Sequence, residues 1–143
     1  MGIEENKRVV AELWACLYRK DWDGLAACLA PDAFYEDVPA PDPGARGPEN
    51  VVKRLRIGLD PVVRFEHEIH RTVAEGDSVV VEHTETWHFE TGEKMVNPFT
   101  TIHEVKGGKI TLWRDYWDLN TMMGQMPKAM IERLAGFDAS AFS

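Results

Sequence analysis

The chain has little cysteine and a shortage of positive charge. It contains only 2 cysteines, Cys16 and Cys28, among 143 residues. Both lie in stretches with a helical apolar pattern, so we expect buried free thiols in a reducing cytoplasm rather than a disulfide framework. The 16 Lys and Arg residues are outnumbered by 24 Asp and Glu residues, which gives a net charge of −8. Nucleic acids and anionic membrane surfaces both bind basic faces, and this composition therefore disfavours both as partners.

Long apolar runs and several catalytic motifs are also absent from the sequence. No apolar run approaches the roughly 20 residues that span a bilayer. The acidic start, residues 1–6, lacks the pattern of a signal peptide. These two observations predict a cytoplasmic protein with no membrane partner. There is no Gly-rich phosphate loop and no Ser nucleophile elbow, which disfavours the common nucleotide-binding and serine-hydrolase sites.

What remains is the composition of one ordinary globular domain, which we assign to residues 1–143. Hydrophobic residues make up 44% of the chain and charged residues 28%, and this length can bury a core. The periodicity predicts four helices and then mostly strands, an α+β order. The predicted helices cover residues 4–19, 22–29, 48–59 and 120–134, the last interrupted by Pro127. The predicted strands cover residues 33–38, 65–74, 78–89, 94–105 and 109–118, and the last four are joined by short Gly-containing turns as an antiparallel meander.

One carboxylate, Asp115, lies between two tryptophans on a predicted strand. Side chains two apart on a strand share a face, so Trp113, Asp115 and Trp117 point the same way. A carboxylate walled by indoles is poorly hydrated, and desolvation raises its pKa. A carboxylic acid with a raised pKa is useful for acid/base chemistry near neutral pH. The alternative is an exposed Asp on a half-polar strand.

The same alternation predicts a polar cluster inside the fold. On the strand 78–89, the face that begins with Val79 and Val81 continues with His83, Glu85 and Trp87. Its apolar start makes this face the better candidate for the interior. The other pairs that share a strand face are Tyr35 with Asp37 and Phe99 with Thr101.

If these faces converge, several carboxylates share one apolar pocket with His83. Like charges then raise at least one pKa, which yields one ionised base beside one protonated acid. Two alternatives stay open at this point. The whole set could lie on the solvated face, or His83, Glu85 and Asp115 could bind a divalent metal. We expect no metal. Met122 lies in a Met-rich helix that either covers the pocket mouth or packs as core.

Three motifs carry a resemblance to a known family. They are residues 34–39 (FYEDVP), 81–85 (VEHTE) and 108–118 (GKITLWRDYWD). The chain resembles the limonene-1,2-epoxide hydrolase family within the SnoaL-like and nuclear-transport-factor-2-like (NTF2-like) superfamily, over nearly its whole length. The resemblance implies a cone-shaped α+β barrel, in which a curved, mixed but mostly antiparallel sheet packs against N-terminal helices. It also implies a homodimer and no cofactor.

The resemblance further implies catalytic roles. In that family a Tyr and an Asn help one Asp to activate water, and an Arg bridges it to a second Asp that protonates the epoxide. Tyr35 matches the Tyr, Asp115 the water-activating Asp and Glu85 the acid. Asp37 stands where the Asn is expected, and His83 where the Arg is expected. His is shorter than Arg and can lose its charge near pH 7.

We therefore expect a cofactor-free acid/base enzyme for a small hydrophobic or aromatic molecule, most specifically an epoxide hydrolase. One alternative is a proton-transfer enzyme with the same pocket: an isomerase, an aldol cyclase or a C–C lyase. Another is a non-catalytic ligand-binding module. The expected catalytic residues are Asp115, Glu85, His83, Tyr35 and Asp37. The expected substrate-binding residues are Trp87, Phe99, Thr101, Trp113, Trp117 and Met122.

Overall fold

The computed structural model describes residues 2–142, with helices packed on one six-stranded sheet. The elements, in chain order, are α1 (Ile3–Tyr18), α2 (Trp22–Ala27), β1 (Leu29–Asp37), β2 (Ala45–Arg46), α3 (Pro48–Leu59), β3 (Val62–Glu75), β4 (Ser78–Phe89), β5 (Lys94–Lys106), β6 (Lys109–Trp117), α4 (Leu119–Met123) and α5 (Lys128–Ala135), followed by a 3-10 turn at Ala139–Phe142.

The N-terminal helices follow from the apolar spacing and the capping residues of the sequence. Val10, Leu13, Trp14 and Leu17 form the buried stripe of α1 at the i, i+3, i+4 spacing of an amphipathic helix. Asp21 caps α2, because its carboxylate accepts a hydrogen bond from a backbone N–H in the first turn of that helix. The buried face of α1 contributes Trp14 and Leu17 to the wall of the site described below.

The sheet confirms the predicted α+β class with a mixed, mostly antiparallel sheet. Its strand order is β2-β1-β6-β5-β4-β3. The meander β3–β4–β5–β6 is antiparallel throughout, whereas β1 joins β6 in parallel. Because β2 and β3 remain at opposite edges, the sheet does not close into a barrel and forms an open, cone-like wall instead.

Two elements of the N-terminal half differ from the predicted ones. Strand β1 begins at Leu29, where the prediction had the end of a helix, and runs through Pro31. The pairing of β1 with β6 shifts register between Leu29 and Phe34, so proline lies in an irregular part of the ladder, where it is tolerated. The two-residue strand β2 was not predicted. The last predicted helix divides into α4 and α5 around Pro127, as expected.

Two sequence expectations concern the cysteines and the membrane. Cys16 and Cys28 are both buried and both free. Within residues 2–142, no helix is long and apolar enough to cross a membrane.

Candidate active site

The predicted alternation of side chains holds along the central strands. In β4 the residues Val79, Val81, His83 and Glu85 are all buried on the face that the sequence predicted. The register then places side chains of neighbouring strands beside one another. Asp37 of β1 pairs with Asp115 of β6, and Asp115 pairs in turn with Thr101 of β5.

These strands form the floor of one cavity of about 500 Å³. Helices α3, α4 and α5 contribute the opposite wall, which is mainly apolar. Most of the predicted site residues lie together on the cavity wall. They are Tyr35, Asp37, Glu85, Trp87, Phe99, Trp113, Asp115, Trp117 and Met122.

Two predicted site residues, His83 and Thr101, do not line this cavity. Both side chains are fully buried, with 0% exposure. The imidazole of His83 stacks on Phe99 at a centroid distance of 3.6 Å, and the indole of Trp14 covers it at 4.7 Å. The sequence analysis expected both residues on the cavity wall, and the structure places both side chains behind it instead. Trp14 and Phe99 pack against the His83 ring, and the Thr101 hydroxyl contacts Asp115.

Hydrogen bonds hold Asp115 through one of its two carboxylate oxygens, Oδ1. Its Oδ1 accepts a hydrogen bond from the Thr101 hydroxyl at 2.7 Å and another from the Trp113 indole N–H at 2.9 Å. Its Oδ2 accepts none from the side chains that the structure describes and is left for a ligand or water. Burial raises the pKa of Asp115 well above its usual value, and the nearby charge of Asp37 raises it further.

Asp37 is surrounded by donors. Its Oδ2 accepts a hydrogen bond from the Tyr35 hydroxyl at 2.6 Å, and its Oδ1 accepts one from the Trp117 indole at 2.9 Å. Arg54 Nη2 lies 3.4 Å from Oδ2. Burial raises the pKa of Asp37, and the Arg54 charge together with the two hydrogen bonds opposes that rise. Of the two neighbouring carboxyls, Asp37 is thus the one equipped to carry a negative charge.

Arg54 is the only Lys or Arg on the wall of this cavity among the residues that the structure describes. It also forms an ion pair of 2.7 Å with Asp42. Burial by itself raises the pKa of Asp42, but hydrogen bonds from Arg54 and Gly44 outweigh it and hold the pKa below its usual value. The Arg54–Asp42 pair therefore holds a fixed positive charge next to Asp37.

Glu85 lies in a separate polar niche, and 6% of the residue is exposed. Its Oε1 accepts a hydrogen bond from the Tyr18 hydroxyl at 2.8 Å, and its Oε2 accepts one from the Asn97 amide at 2.8 Å. Burial raises the pKa of Glu85, and the hydrogen bond from Asn97 opposes it. No cation contacts Glu85 within residues 2–142, so the protonated form is favoured more than in an exposed glutamate.

His83 does not supply the positive charge that the bridging Arg supplies in the family it resembles. Burial, followed by the neighbouring imidazoles of His67 and His103, lowers its pKa to about 3. A neutral imidazole results at neutral pH. It reaches Asp115 only through Thr101, whose Oγ1 lies 3.0 Å from His83 Nε2. The expectation that His83 orients Asp115 directly is replaced by an indirect connection through Thr101.

Several site residues were missed by the sequence analysis. Asn97 has the same strand parity as Phe99 and Thr101, so the alternation rule could have found it. Arg54 and Tyr18 lie on helices, whose rotation against the sheet no local spacing specifies. The sequence analysis assigned no role to His67, yet its Nε2 lies 2.9 Å from His83 Nδ1. Within residues 2–142, no group of three or more His, Cys, Asp or Glu side chains is arranged to hold a metal ion.

The fold belongs to a known class of proteins. An NTF2-like protein of unknown function from Burkholderia pseudomallei superposes with a TM-score of 0.73 at 21% identity, over 87% of this chain and 98% of the other. That likeness concerns the fold alone. An LEH-like epoxide hydrolase from M. tuberculosis superposes with a TM-score of 0.75 at 29% identity, over 94% of this chain and 98% of that chain.

Sequence comparison then identifies the family. The model described as "Limonene-1,2-epoxide hydrolase catalytic domain" matches residues 4–128. Epoxide hydrolase EphG of Mycobacterium tuberculosis is 32% identical over 119 residues, which are 80% of this chain and 74% of the relative. The chain belongs to the limonene-1,2-epoxide hydrolase family, as its three motifs had indicated.

Proposed function

We propose that this protein is an epoxide hydrolase for bulky, apolar epoxides, in which Asp115 activates water and Glu85 protonates the epoxide oxygen. The observation that carries the proposal is the asymmetric binding of Asp115. Two donors hold Oδ1 in place, and Oδ2 stays without a partner on the wall of an apolar cavity that also contains Glu85. Membership of the family supports the same reaction.

The water step uses the raised basicity of Asp115. A carboxylate with an ordinary pKa is a weak base, and burial together with the Asp37 charge makes Asp115 a stronger one. Water bound to Oδ2 gives its proton to Asp115 while its oxygen attacks one epoxide carbon. The Tyr35 and Asp37 pair provides further hydrogen-bond partners for that water.

The opening step uses the acid form of Glu85. The bond between the attacked carbon and the epoxide oxygen breaks, and that oxygen takes the proton of Glu85. The product is a vicinal diol, with Asp115 protonated and Glu85 ionised. Positioned proton transfers of this kind each contribute about 10²–10⁴-fold to the rate.

Substrate class follows from the walls of the cavity. Ligand sites of roughly 300–1,000 Å³ enclose drug-sized molecules, and this cavity of about 500 Å³ lies in that range. Four tryptophans and five methionines contribute to its lining. The methionines are Met95, Met122, Met123, Met126 and Met130. Methionine adapts to irregular apolar shapes, which favours substrates bulkier than a simple alkyl epoxide.

The test is hydrolysis of limonene-1,2-epoxide and of larger apolar epoxides in ¹⁸O-labelled water. We expect a diol that carries one ¹⁸O atom. Turnover of a carbonyl or hydroxylated substrate without a diol and without label would instead support a second candidate, a proton-transfer isomerase, cyclase or lyase. The neutral His83, which leaves no cation between Asp115 and Glu85, is the observation that favours this second candidate. Binding without any turnover would support a ligand-binding module.

Two further expectations are proposals of the same kind. We propose that the protein forms a homodimer, as the family resemblance implies, and sedimentation velocity tests this directly. The two buried free thiols, Cys16 and Cys28, support a location in a reducing cytoplasm. Fractionation of cells that express the protein tests that location.

A further inference from the structure

We propose that Thr101, His83 and His67 form a proton relay that connects Asp115 to the edge of the sheet. The proposal rests on the proposed role of Asp115 as the base, since that role requires Asp115 to lose a proton after every turnover. The three relay residues do not contact the substrate. They act through Asp115.

The relay is an unbroken chain of three short contacts between side chains. Asp115 Oδ1 lies 2.7 Å from Thr101 Oγ1, and Thr101 Oγ1 lies 3.0 Å from His83 Nε2. His83 Nδ1 lies 2.9 Å from His67 Nε2. His83 and Thr101 are fully buried, whereas His67 belongs to the edge strand β3 and is partly exposed. The chain therefore runs from the cavity wall to a partly exposed residue at the edge of the sheet without crossing the cavity.

When Asp115 is ionised, the donors in this chain all point toward it. The Thr101 hydroxyl donates to Asp115, so its oxygen accepts from His83 Nε2–H. His83 Nδ1 then has a free lone pair and accepts from His67 Nε2–H. Every polar atom between Asp115 and His67 is satisfied, and both imidazoles are neutral.

When Asp115 is protonated on Oδ1, the same chain can reverse. Asp115 donates to Thr101 Oγ1, the Thr101 hydroxyl donates to His83 Nε2, and His83 Nδ1–H donates to His67 Nε2. His67 then carries its own proton on Nδ1. When Asp115 loses its proton, Thr101, His83 and His67 each gain one proton and lose one, and the proton on His67 Nδ1 passes to solvent.

The surrounding groups favour these neutral arrangements. His83 faces His67 and His70 of β3 and His103 of β5, whose charges would oppose an imidazolium. His103 itself is not a member of the relay. Its Nε2 accepts from the Trp14 indole and its Nδ1 donates to a backbone carbonyl, which fixes its tautomer.

At the Asp115 end of the relay, the groups that face Asp115 are carboxyls and neutral hydrogen-bond donors. The charges of Asp37 and Glu85 raise its pKa, and the hydrogen bonds from Thr101 and the Trp113 indole lower it. The Tyr18 phenol also lies within the electrostatic reach of Asp115. These charges favour the protonated form of Asp115, so a route for its proton is useful after each turnover.

The proposed reaction requires Asp115 to lose its proton after each turnover, and the relay provides a route for that proton. Each turnover leaves Asp115 protonated and Glu85 ionised inside a cavity that the substrate or product fills. A route behind the wall lets Asp115 release its proton to solvent while the product still occupies the cavity. Steady-state turnover then depends on the relay, whereas the first chemical event does not.

The direct test is a titration of ¹⁵N-histidine-labelled protein by NMR, with the Asp115 carboxyl followed by ¹³C. No substrate is needed. We expect the protonated nitrogen of His83 to change from Nδ1 to Nε2 at the pH where Asp115 ionises. Thr101→Val should abolish this coupling, and Thr101→Ser should retain it. A single unchanged His83 tautomer throughout the wild-type titration, or coupling that persists in Thr101→Val, would overturn the relay.

A kinetic test uses His67→Phe, at a partly exposed position that tolerates an aromatic ring. The new ring keeps the stacking with Tyr18 and removes Nε2. We expect an unchanged rate of diol formation in the first turnover and a steady-state rate that falls by about tenfold or more. An equal loss in both phases, or no loss in either, would contradict the relay. If the wild-type protein forms no diol at all, the proposed function fails, and the NMR titration still decides the relay.

Discussion

Arg54 is the positive charge of the cavity, and its replacement by methionine is the most informative single perturbation of the site. The Arg54 side chain is only 16% exposed, and its Nη2 lies 2.7 Å from Asp42 Oδ2 and 3.4 Å from Asp37 Oδ2. Arg54→Met keeps the apolar stem of the side chain and removes the charge. It leaves two poorly exposed carboxyls without their cation.

The expected cost follows from that burial. Removing one partner of a fully buried ion pair costs about 3–5 kcal/mol, because the charge of the other partner stays buried without a counter-charge. Asp37 and Asp42 keep 12% and 16% of their side chains exposed, so water compensates for part of this loss. We expect Arg54→Met to lower the free energy of unfolding at neutral pH by about 2–4 kcal/mol.

The assay is urea denaturation across a range of pH, with Arg56→Met as the matched control. Arg56 lies on the same helix and pairs with Asp60, but these side chains are 49% and 38% exposed. Exposed pairs of this kind contribute about 0.3–0.5 kcal/mol. The comparison therefore separates the buried charge of Arg54 from the general loss of an arginine.

The pH dependence of this cost has a definite sign. Arg54 lowers the pKa of Asp42, so its stabilising contribution is present above the unfolded pKa of an Asp and is lost as the pH falls through the folded pKa. The difference between Arg54→Met and wild type must shrink in acid. Equal costs for Arg54→Met and Arg56→Met, or a difference that grows in acid, would refute the assigned charges.

Further predictions concern activity and the helix that lines the cavity. The pH profile of kcat/KM should be bell-shaped, because the reaction needs an ionised Asp115 and a protonated Glu85, and both limbs should lie above the usual carboxyl range because burial raises both pKa values. Asn97→Leu removes a donor that lowers the pKa of Glu85, so it should move one limb of the profile to higher pH and leave the other unchanged. Gly58→Ala should raise stability by about 1 kcal/mol in a thermal melt, because Gly58 is helical and the nearest atoms to an added Cβ lie at 3.8 Å; a loss of stability would contradict this packing.

The central strands were predictable because the two-residue period of a strand is fixed by backbone geometry. That rule placed Glu85 on the interior face of β4 and Asp115 between two indoles of β6. The rule did not predict how deeply each side chain on that face is buried. His83 has the same parity as Glu85 but lies beneath Trp14, a residue of α1 that is distant in the sequence. Parity specifies a face, and only the packing of the helices decides which part of that face is cavity wall.

The remaining site depends on tertiary register. Arg54 reaches Asp37 because α3 packs over the end of β1, and the apolar pattern of α3 predicts a helix without specifying this contact. His67 pairs with Glu85 across β3 and β4 and is therefore the diagonal neighbour of His83 on the same face of the sheet. Which residues meet across two strands depends on their register, and the alternation within one strand does not specify it.

The account as a whole depends on Asp115, and one substitution tests it. Asp115→Asn keeps the size of the side chain and removes the base. Asp118→Asn makes the same chemical change three residues later, at the N-cap of α4, where Asn caps about as well as Asp. Single-turnover diol formation from an apolar epoxide should fall by about 10²–10⁴-fold in Asp115→Asn and stay near the wild-type rate in Asp118→Asn. Normal diol formation by Asp115→Asn would contradict the proposed mechanism.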